Sequence, residues 1–484
     1  MKKIYTLAAL LLAVLCSSPI RSDAQTHSGY FLDNYVYGYR LNPAIMSERS
    51  FFALGVGNVG VNAKSDLGLS SLLFKGPDGG LVTGLNQSVP ASTFLAGIKD
   101  ANKLSVDAGL NLLSLGIRNG RSMTNFEVNL RADVAAYLPG DAFRFLKCGS
   151  VDGGSYDLSA LGANVNAITE VALGHAFETS DGKFTFGMRA KFLAGLASAD
   201  VYAAKANLTV NGSEVSADVV ANGRLACSIA QFGTDADGNW NVQLNKNFAD
   251  FRPSGFGGAV DLGVKWKPFE LLSVTAGVSD LGLVSWKYNS LAEASGAYSF
   301  EGFNEVGSES DIQSELEQMQ KELGQVLNLQ PIEGSSSAAS LLPFTVNAGA
   351  RFSLPVPRFI SVGALATYHH DCLAPWFDCR AGLTLSPFKW FSLSGNFGRA
   401  SSGNVCGVAT SITLLFLNLY VAADLYQGPL GVYPVNGVQI PVYGGVPYPV
   451  NSFNCKLNFG LTLQFGRSAK ARTTELTLPA EIIQ

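Results

Sequence analysis

The chain has 484 residues, of which 47% are hydrophobic and 15% charged, and a formal net charge of −4. The absence of a basic stripe excludes a nucleic-acid-binding surface. No uninterrupted apolar run is long enough to span a bilayer as a helix, which takes about 20 residues, so a helical membrane protein is excluded as well. The 52 glycines beside that hydrophobic content suit strands that turn half their residues towards apolar surroundings.

Residues 1–24 read as an export signal: Lys2 and Lys3 precede an apolar run over 7–15, and Ser22-Asp23-Ala24 supplies small residues for cleavage ahead of Gln25. Lipidation at Cys16 is disfavoured because Leu15 stands where a small residue is required. Losing Lys2, Lys3, Arg21 and Asp23 with the signal leaves 31 basic and 37 acidic residues, a net −6.

Residues 25–50 are aromatic and irregular, with Tyr30-Phe31-Leu32-Asp33-Asn34-Tyr35 followed by Leu41-Asn42-Pro43-Ala44. Asn42-Pro43 is a turn dipeptide. Asn42, Pro43 and Ala44 ahead of a first strand resemble the N-terminal plug signature of the long-chain fatty acid transporter type of outer-membrane barrel. The wider run, with Gly57-Asn58-Val59-Gly60-Val61, is more similar still to a group of Bacteroidetes barrel proteins (a domain of unknown function). The resemblance implies a plug-like segment over 25–50, shorter than that of the transporters.

From residue 51 to 466 the pattern is that of strands. Phe126, Val128, Leu130, Ala132 and Val134 alternate with Glu127, Asn129, Arg131 and Asp133, and Phe184 to Phe192 alternate with Thr185, Gly187, Arg189 and Lys191. In the hairpin over 255–287, Phe256, Gly258, Val260, Leu262, Val264 and Trp266 oppose Gly257, Ala259, Asp261, Gly263 and Lys265. Leu272, Val274, Ala276 and Val278 restart the apolar series after Lys267-Pro268-Phe269-Glu270. Residues 453–465 alternate in the same way and close the series. An apolar outward face with charges inside inverts a soluble sandwich and is the mark of an all-β fold, a transmembrane antiparallel β-barrel.

Short links fall near 118–122, 180–183, 267–271, 354–358, 386–391 and 415–418, alternating with longer ones near 63–103, 138–159, 197–254, 288–342 and 427–450, and smaller ones at 369–375 and 400–404. Strands counted between them number about fourteen, an even count with both ends in the periplasm. The stretch 412–425 is the weakest link in this count, an apolar run with only Asn418 to mark a turn.

In the hairpin, Asp280-Leu281-Gly282 interrupts the outward apolar series where a bulge or kink re-aims a strand. The family resemblance implies a side exit at such a kink. The outer links carry further candidates. Asp235-Ala236-Asp237-Gly238-Asn239 has calcium-like oxygen ligands but lacks the rest of a calcium loop, so a plain turn is preferred. His369-His370-Asp371-Cys372 lacks a second ligand cluster, so a solvated loop is preferred to a metal site.

Residues 308–329 form an amphipathic helix pattern, with Ile312, Leu316, Met319, Leu323 and Val326 on one face. It reads as a rim-packed loop helix in preference to a lid or docking surface. Residues 427–450 interleave Gly, Pro, Tyr and Val without charge, and 467–484 form a periplasmic tail. Of the six cysteines beyond the signal, Cys372 and Cys379 flank one short loop and are the candidate disulfide, with free thiols as the alternative.

Four histidines and no Gly-x-Ser-x-Gly elbow leave no catalytic constellation, so no enzyme activity, metal or cofactor is expected. The expected function is an outer-membrane channel or transporter for a small hydrophobic solute, set in outer-membrane lipid. The alternative is a non-transporting or secretion-associated barrel whose outer loops bind a protein partner. A general porin fits less well, because the inward positions mix Glu127, Arg131, Asp133, Arg189, Asp261 and Lys265 rather than forming a ring of one charge.

Overall fold

The computed structural model describes residues 25–466 apart from 78–79, 149–152, 160, 212–213, 237, 246, 301–327, 358, 371–374, 428–429, 434–445 and 450–452. The helix expected over 308–329 lies almost wholly outside the described residues, as do the signal, the tail and most of 427–450.

Fourteen antiparallel strands close on themselves. In chain order they are β1 (Ser50–Leu54 and Val59–Ser65), β2 (Ala101–Asn119), β3 (Ser122–Pro139), β4 (Gly162–Glu178), β5 (Phe184–Asn211), β6 (Gly255–Phe269) and β7 (Leu272–Tyr288). They continue as β8 (Ser336–Leu341 and Phe344–Ser353), β9 (Ile360–His370), β10 (Trp376–Phe388), β11 (Phe391–Ala400), β12 (Gly403–Leu414), β13 (Leu417–Gln427) and β14 (Phe453–Phe465). Each pairs with its neighbours in sequence, and β1 joins both β2 and β14, as in Phe51 opposite Gly116 on one side and Gln464 on the other. The wall therefore has no free edge.

Tight turns gather at the end where Ser50 and Phe465 pair. Asn119 faces Ser122 across Gly120, whose φ of 56° suits glycine. Leu414 faces Leu417 across Leu415-Phe416, so the apolar run 412–425 is two strands. Asn418 is not the turn: it lies inside β13 with its amide donating to Ser411 and Thr413 at 3.0 and 2.8 Å. The chain turns one residue pair earlier, on Leu415 at φ 56°.

The link expected over 197–254 is largely sheet. β5 runs 28 residues, and its end pairs with Glu214–Ala226, which pairs in turn with Ser290–Phe300 beyond β7. This extension takes the place above β6 once β6 begins at Gly255. Its strand ladders satisfy backbone groups that a loop would leave to water.

The alternation sorts side chains as a barrel requires. Leu262 is 45% exposed on the outward face, whereas its neighbour Asp261 is fully buried on the inward face. The parity breaks once in β7. Val260 pairs with Leu281 but Leu262 pairs with Val278, so Ser279 and Asp280 form a bulge opposite Asp261. Asp280 takes φ 63°. An uninterrupted strand would put Asp280 outward with Ala276 and Val278; the extra residue flips it inward and hands the outward face to Leu281 and Leu283. β8 is split alongside, its pairing to β7 lapsing between Ser279 and Leu283 near Pro343, which has no N–H to donate.

No helix among the described residues is long and apolar enough to cross a membrane.

Candidate functional site: the lumen and its N-terminal segment

Residues 25–49 lie inside the barrel. Two short turns, Ser28–Phe31 and Gly38–Leu41, are all their regular structure, so tertiary contacts hold them in place. Tyr35, Tyr37 and Tyr39 pack with Phe51 and Tyr420, their ring centroids 5.1 to 6.0 Å apart. Such pairs add about 0.5–1.5 kcal/mol each beyond area burial. Inward glycines in the wall make room: a Cβ on Gly382 would meet the Phe31 ring, and one on Gly349 would meet Tyr30. Burial pushes the Tyr35 hydroxyl up to about 12.

Asn42, Pro43 and Ala44 sit against β5, β6 and β7. The Asn42 amide donates to the Ala276 carbonyl at 2.8 Å, while its Oδ1 accepts from the Ala44 N–H at 2.9 Å. A Cβ on Gly187 would strike the Pro43 carbonyl, and one on Gly263 would strike Asn42. The wall is therefore bare backbone at this point. On its outward side lies an apolar hollow of about 780 Å³, lined by Phe177, Phe186, Leu262, Val264, Val278 and Val346.

A chain of ion pairs joins the segment to the wall. Arg40 donates from Nε and Nη2 to Glu127 Oε1 at 2.9 and 2.6 Å, and from Nη2 to Asn129 Oδ1 at 2.8 Å. The Tyr39 hydroxyl donates to the same Glu127 oxygen at 2.7 Å. Arg189 bridges the other Glu127 oxygen to Asp261. Lys191 then reaches Asp261 at 2.7 Å and Asp280 at 2.6 Å, and Arg131 links Asp280 to Glu170 at 3.1 and 2.9 Å. Buried charges are tolerated only when paired in this way. Beside them a polar cavity of about 80 Å³, bordered by Arg40, Asn129, Arg131, Glu170 and Asp280, has room for a few waters.

The other end of the segment meets β10, β13 and β14. The His27 N–H donates to Asp424 at 2.6 Å, the Ser28 hydroxyl donates to the same carboxylate, and the Thr26 N–H donates to Asn458. Arg380 pairs with Asp378 at 2.8 Å and with Asp424 at 3.1 Å, and Lys456 lies 4.8 Å from the centre of the Trp376 ring. Burial, then Lys456 and Arg380, hold the His27 imidazole well below its usual value.

Asp280, Leu281 and Gly282 occupy the bulge and the lapse in the β7–β8 ladder. Cys379 is a free, exposed thiol and Cys372 lies outside the described residues. His369 and His370, though adjacent, bond apart: His369 to Thr345 at 2.9 Å, and His370 stacked on Phe344. Asp235 accepts the Asn239 N–H at 2.8 Å in a turn, and Asp237 lies outside the described residues. Among the described residues no group of three or more His, Cys, Asp and Glu is placed to hold a metal. Arg40 and Glu170 escaped the sequence reading. Glu170 shares the inward parity of β4, but nothing local marks Arg40 as a wall partner.

The molecule is thus a closed antiparallel barrel whose lumen holds its own N-terminal segment. Residues 43–424 match a family of unknown function, DUF5723, and the chain belongs to that family. No curated protein sequence matches it. Similar solved structures include the P. putida toluene transporter TodX, at 9% identity with 90% of this chain and 95% of that one covered and a TM-score of 0.42. A Pseudomonas aeruginosa FadL homologue has 10% identity, coverages of 90% and 94%, and a TM-score of 0.41. The Ralstonia pickettii toluene transporter TbuX has 9% identity, coverages of 89% and 94%, and a TM-score of 0.41. At these scores the likeness assigns neither solute nor mechanism to this chain.

Proposed function

We propose that the protein is an outer-membrane channel for a small, largely hydrophobic solute, closed at rest by residues 25–49 acting as a plug. The observation that carries this reading is the bare wall beside Asn42-Pro43. Gly187 and Gly263 leave only backbone between the segment and an apolar hollow on the outward face. Apart from its peptide link to β1 at Ser50, noncovalent contacts hold the segment within the lumen, so it can move without breaking the barrel. The membrane setting is supported by the inverted pattern, apolar outside and polar inside, and by the export-signal pattern in the sequence of residues 1–24. The lapse at Asp280-Leu281-Gly282 offers an apolar solute a sideways exit into lipid.

Single-channel conductance in a planar bilayer, with and without residues 25–49, tests the closure. A silent intact barrel that conducts after deletion is expected; equal conductance in both would overturn it. The hollow as the outward route is tested with Ala276→Trp, which fills it from its outward side. Slower uptake of a labelled hydrophobic solute into proteoliposomes is expected, and unchanged uptake removes the hollow from the route. Gly282 is a poorer target because a Cβ there strikes the Gly258 carbonyl and Ala259.

A second reading, a barrel that binds a protein partner, is supported by the outer hairpin Ala230–Thr234 and Trp240–Leu244, where Trp240, Val242 and Leu244 are exposed. Under it, Trp240→Ala weakens partner capture and leaves solute flux unchanged.

A further inference from the structure

The ion-pair chain around Arg40 has a charge count that depends on the segment. Within the ion pairs described above, the wall contributes four carboxylates, Glu127, Glu170, Asp261 and Asp280, and three cations, Arg131, Arg189 and Lys191. Arg40, from the segment, is the fourth cation. When the segment leaves, Glu127 loses Arg40 and keeps Arg189, and the vacated place favours another cation.

The seat that Arg40 fills is built from a buried carboxylate and an oriented amide oxygen. Glu127 is fully buried, and Asn129 is oriented by its neighbours. Asn111 donates to Asn129 Oδ1 at 2.8 Å, and the Asn129 amide donates to Glu170 at 3.0 Å, so its oxygen faces Arg40. One nitrogen, Arg40 Nη2, reaches both acceptors, and Nε shares Glu127 Oε1, so the seat suits a cation with several N–H donors. The polar cavity borders Arg40 and Asn129, so the packing around the seat is not solid.

We propose that the Glu127–Asn129 seat is a binding site for a guanidinium or primary ammonium group, that Arg40 is its resident internal ligand, and that a solute carrying such a group frees the segment by displacing Arg40. This deepens the reading of residues 25–49 as a closure: the solute is a small organic cation with an apolar body. A ligand that binds only the undocked state shifts the docking equilibrium in proportion to its occupancy of the seat.

The test uses benzylguanidinium, with benzylurea as the neutral comparator of similar shape and sodium chloride at matched ionic strength. Hydrogen exchange in peptides covering 26–44 of the full-length protein is followed by mass spectrometry. Benzylguanidinium is expected to speed exchange by about tenfold or more, with no effect from the other two; equal effects of guanidinium and urea overturn the proposal.

Calorimetric titration gives a second readout. Arg40→Ala vacates the seat and is expected to bind benzylguanidinium about tenfold more tightly than wild type, and adding Glu127→Gln removes that gain. Affinity no better than wild type in Arg40→Ala overturns the proposal. Heat-modifiable electrophoretic mobility reports whether each variant folds. If Arg40→Ala does not, Arg40→Gln, which keeps much of the side chain and loses the charge, must bind more tightly than wild type. A barrel that stays silent after deletion of 25–49 would refute the closure while leaving the titration to decide the cation site.

Discussion

The two ends of the N-terminal segment are anchored by different physics. At β10, β13 and β14 the wall balances its own charge, Arg380 and Lys456 against Asp378 and Asp424, and the segment adds backbone N–H groups and the Ser28 hydroxyl. Around Glu127 the segment brings the charge itself, through Arg40. Withdrawing the first end costs hydrogen bonds that water can replace. Withdrawing the second also takes a cation from Glu127, which keeps Arg189. If the segment is a movable plug, the Arg40 end is expected to carry more of its docking strength than the Asp424 end.

Arg40→Ala is the sharpest way to break this asymmetry. Arg189 still partners Glu127 in the variant, so docking should weaken by about 2–3 kcal/mol, below the full cost of an orphaned buried charge. Faster proteolysis within 25–49 in a barrel of unchanged thermal stability is the expected signature; an equal response to Ser28→Ala would erase the distinction between the ends.

Next comes Gly187→Val, whose added side chain meets the Pro43 carbonyl and should cost about 1–3 kcal/mol through overpacking. Its effect should fall on exchange near residues 42–46 and spare residues 26–28.

The pH response sharpens the comparison from the other side. His27 is held well below the usual imidazole value of 6.5, first by burial and then by Lys456 and Arg380. The undocked segment therefore takes up a proton more readily than the docked one. Docking of the 26–28 end should be at full strength above pH 6.5 and decline as pH falls towards the lower His27 value, by at most about 1.4 kcal/mol per unit. Exchange measured against pH checks this, and His27→Gln should flatten the profile.

The smallest effect is expected from Ser28→Ala. It removes one hydroxyl from Asp424, which keeps Arg380 and the His27 N–H, at about 1 kcal/mol. The same exchange experiment at residues 26–32 reads it.

Much of the barrel was legible in the sequence because strand periodicity is local. Alternation of Phe256 to Trp266 with Asp261 and Lys265 states which way each side chain points before any partner is known. Short links set the strand count, and the turn on Leu415-Phe416 falls inside the link expected over 415–418, though Asn418 itself is in the strand. Asn42-Pro43-Ala44 and Asp280-Leu281-Gly282 stood out because each interrupts its surroundings.

What the sequence could not determine is which inward residues meet. Glu127 and Arg40 are 87 positions apart, and Arg131 and Asp280 are 149 apart. Their pairing depends on barrel closure and on where the segment settles, and no local period encodes either. The inward turn of Asp280 is the clearest case: the residue is polar in sequence, but only the bulge against Asp261 directs it to Lys191 and Arg131. Local patterning determined the wall. The tertiary structure alone decided the lumen, because charge pairing acts through space between strands that the chain holds far apart.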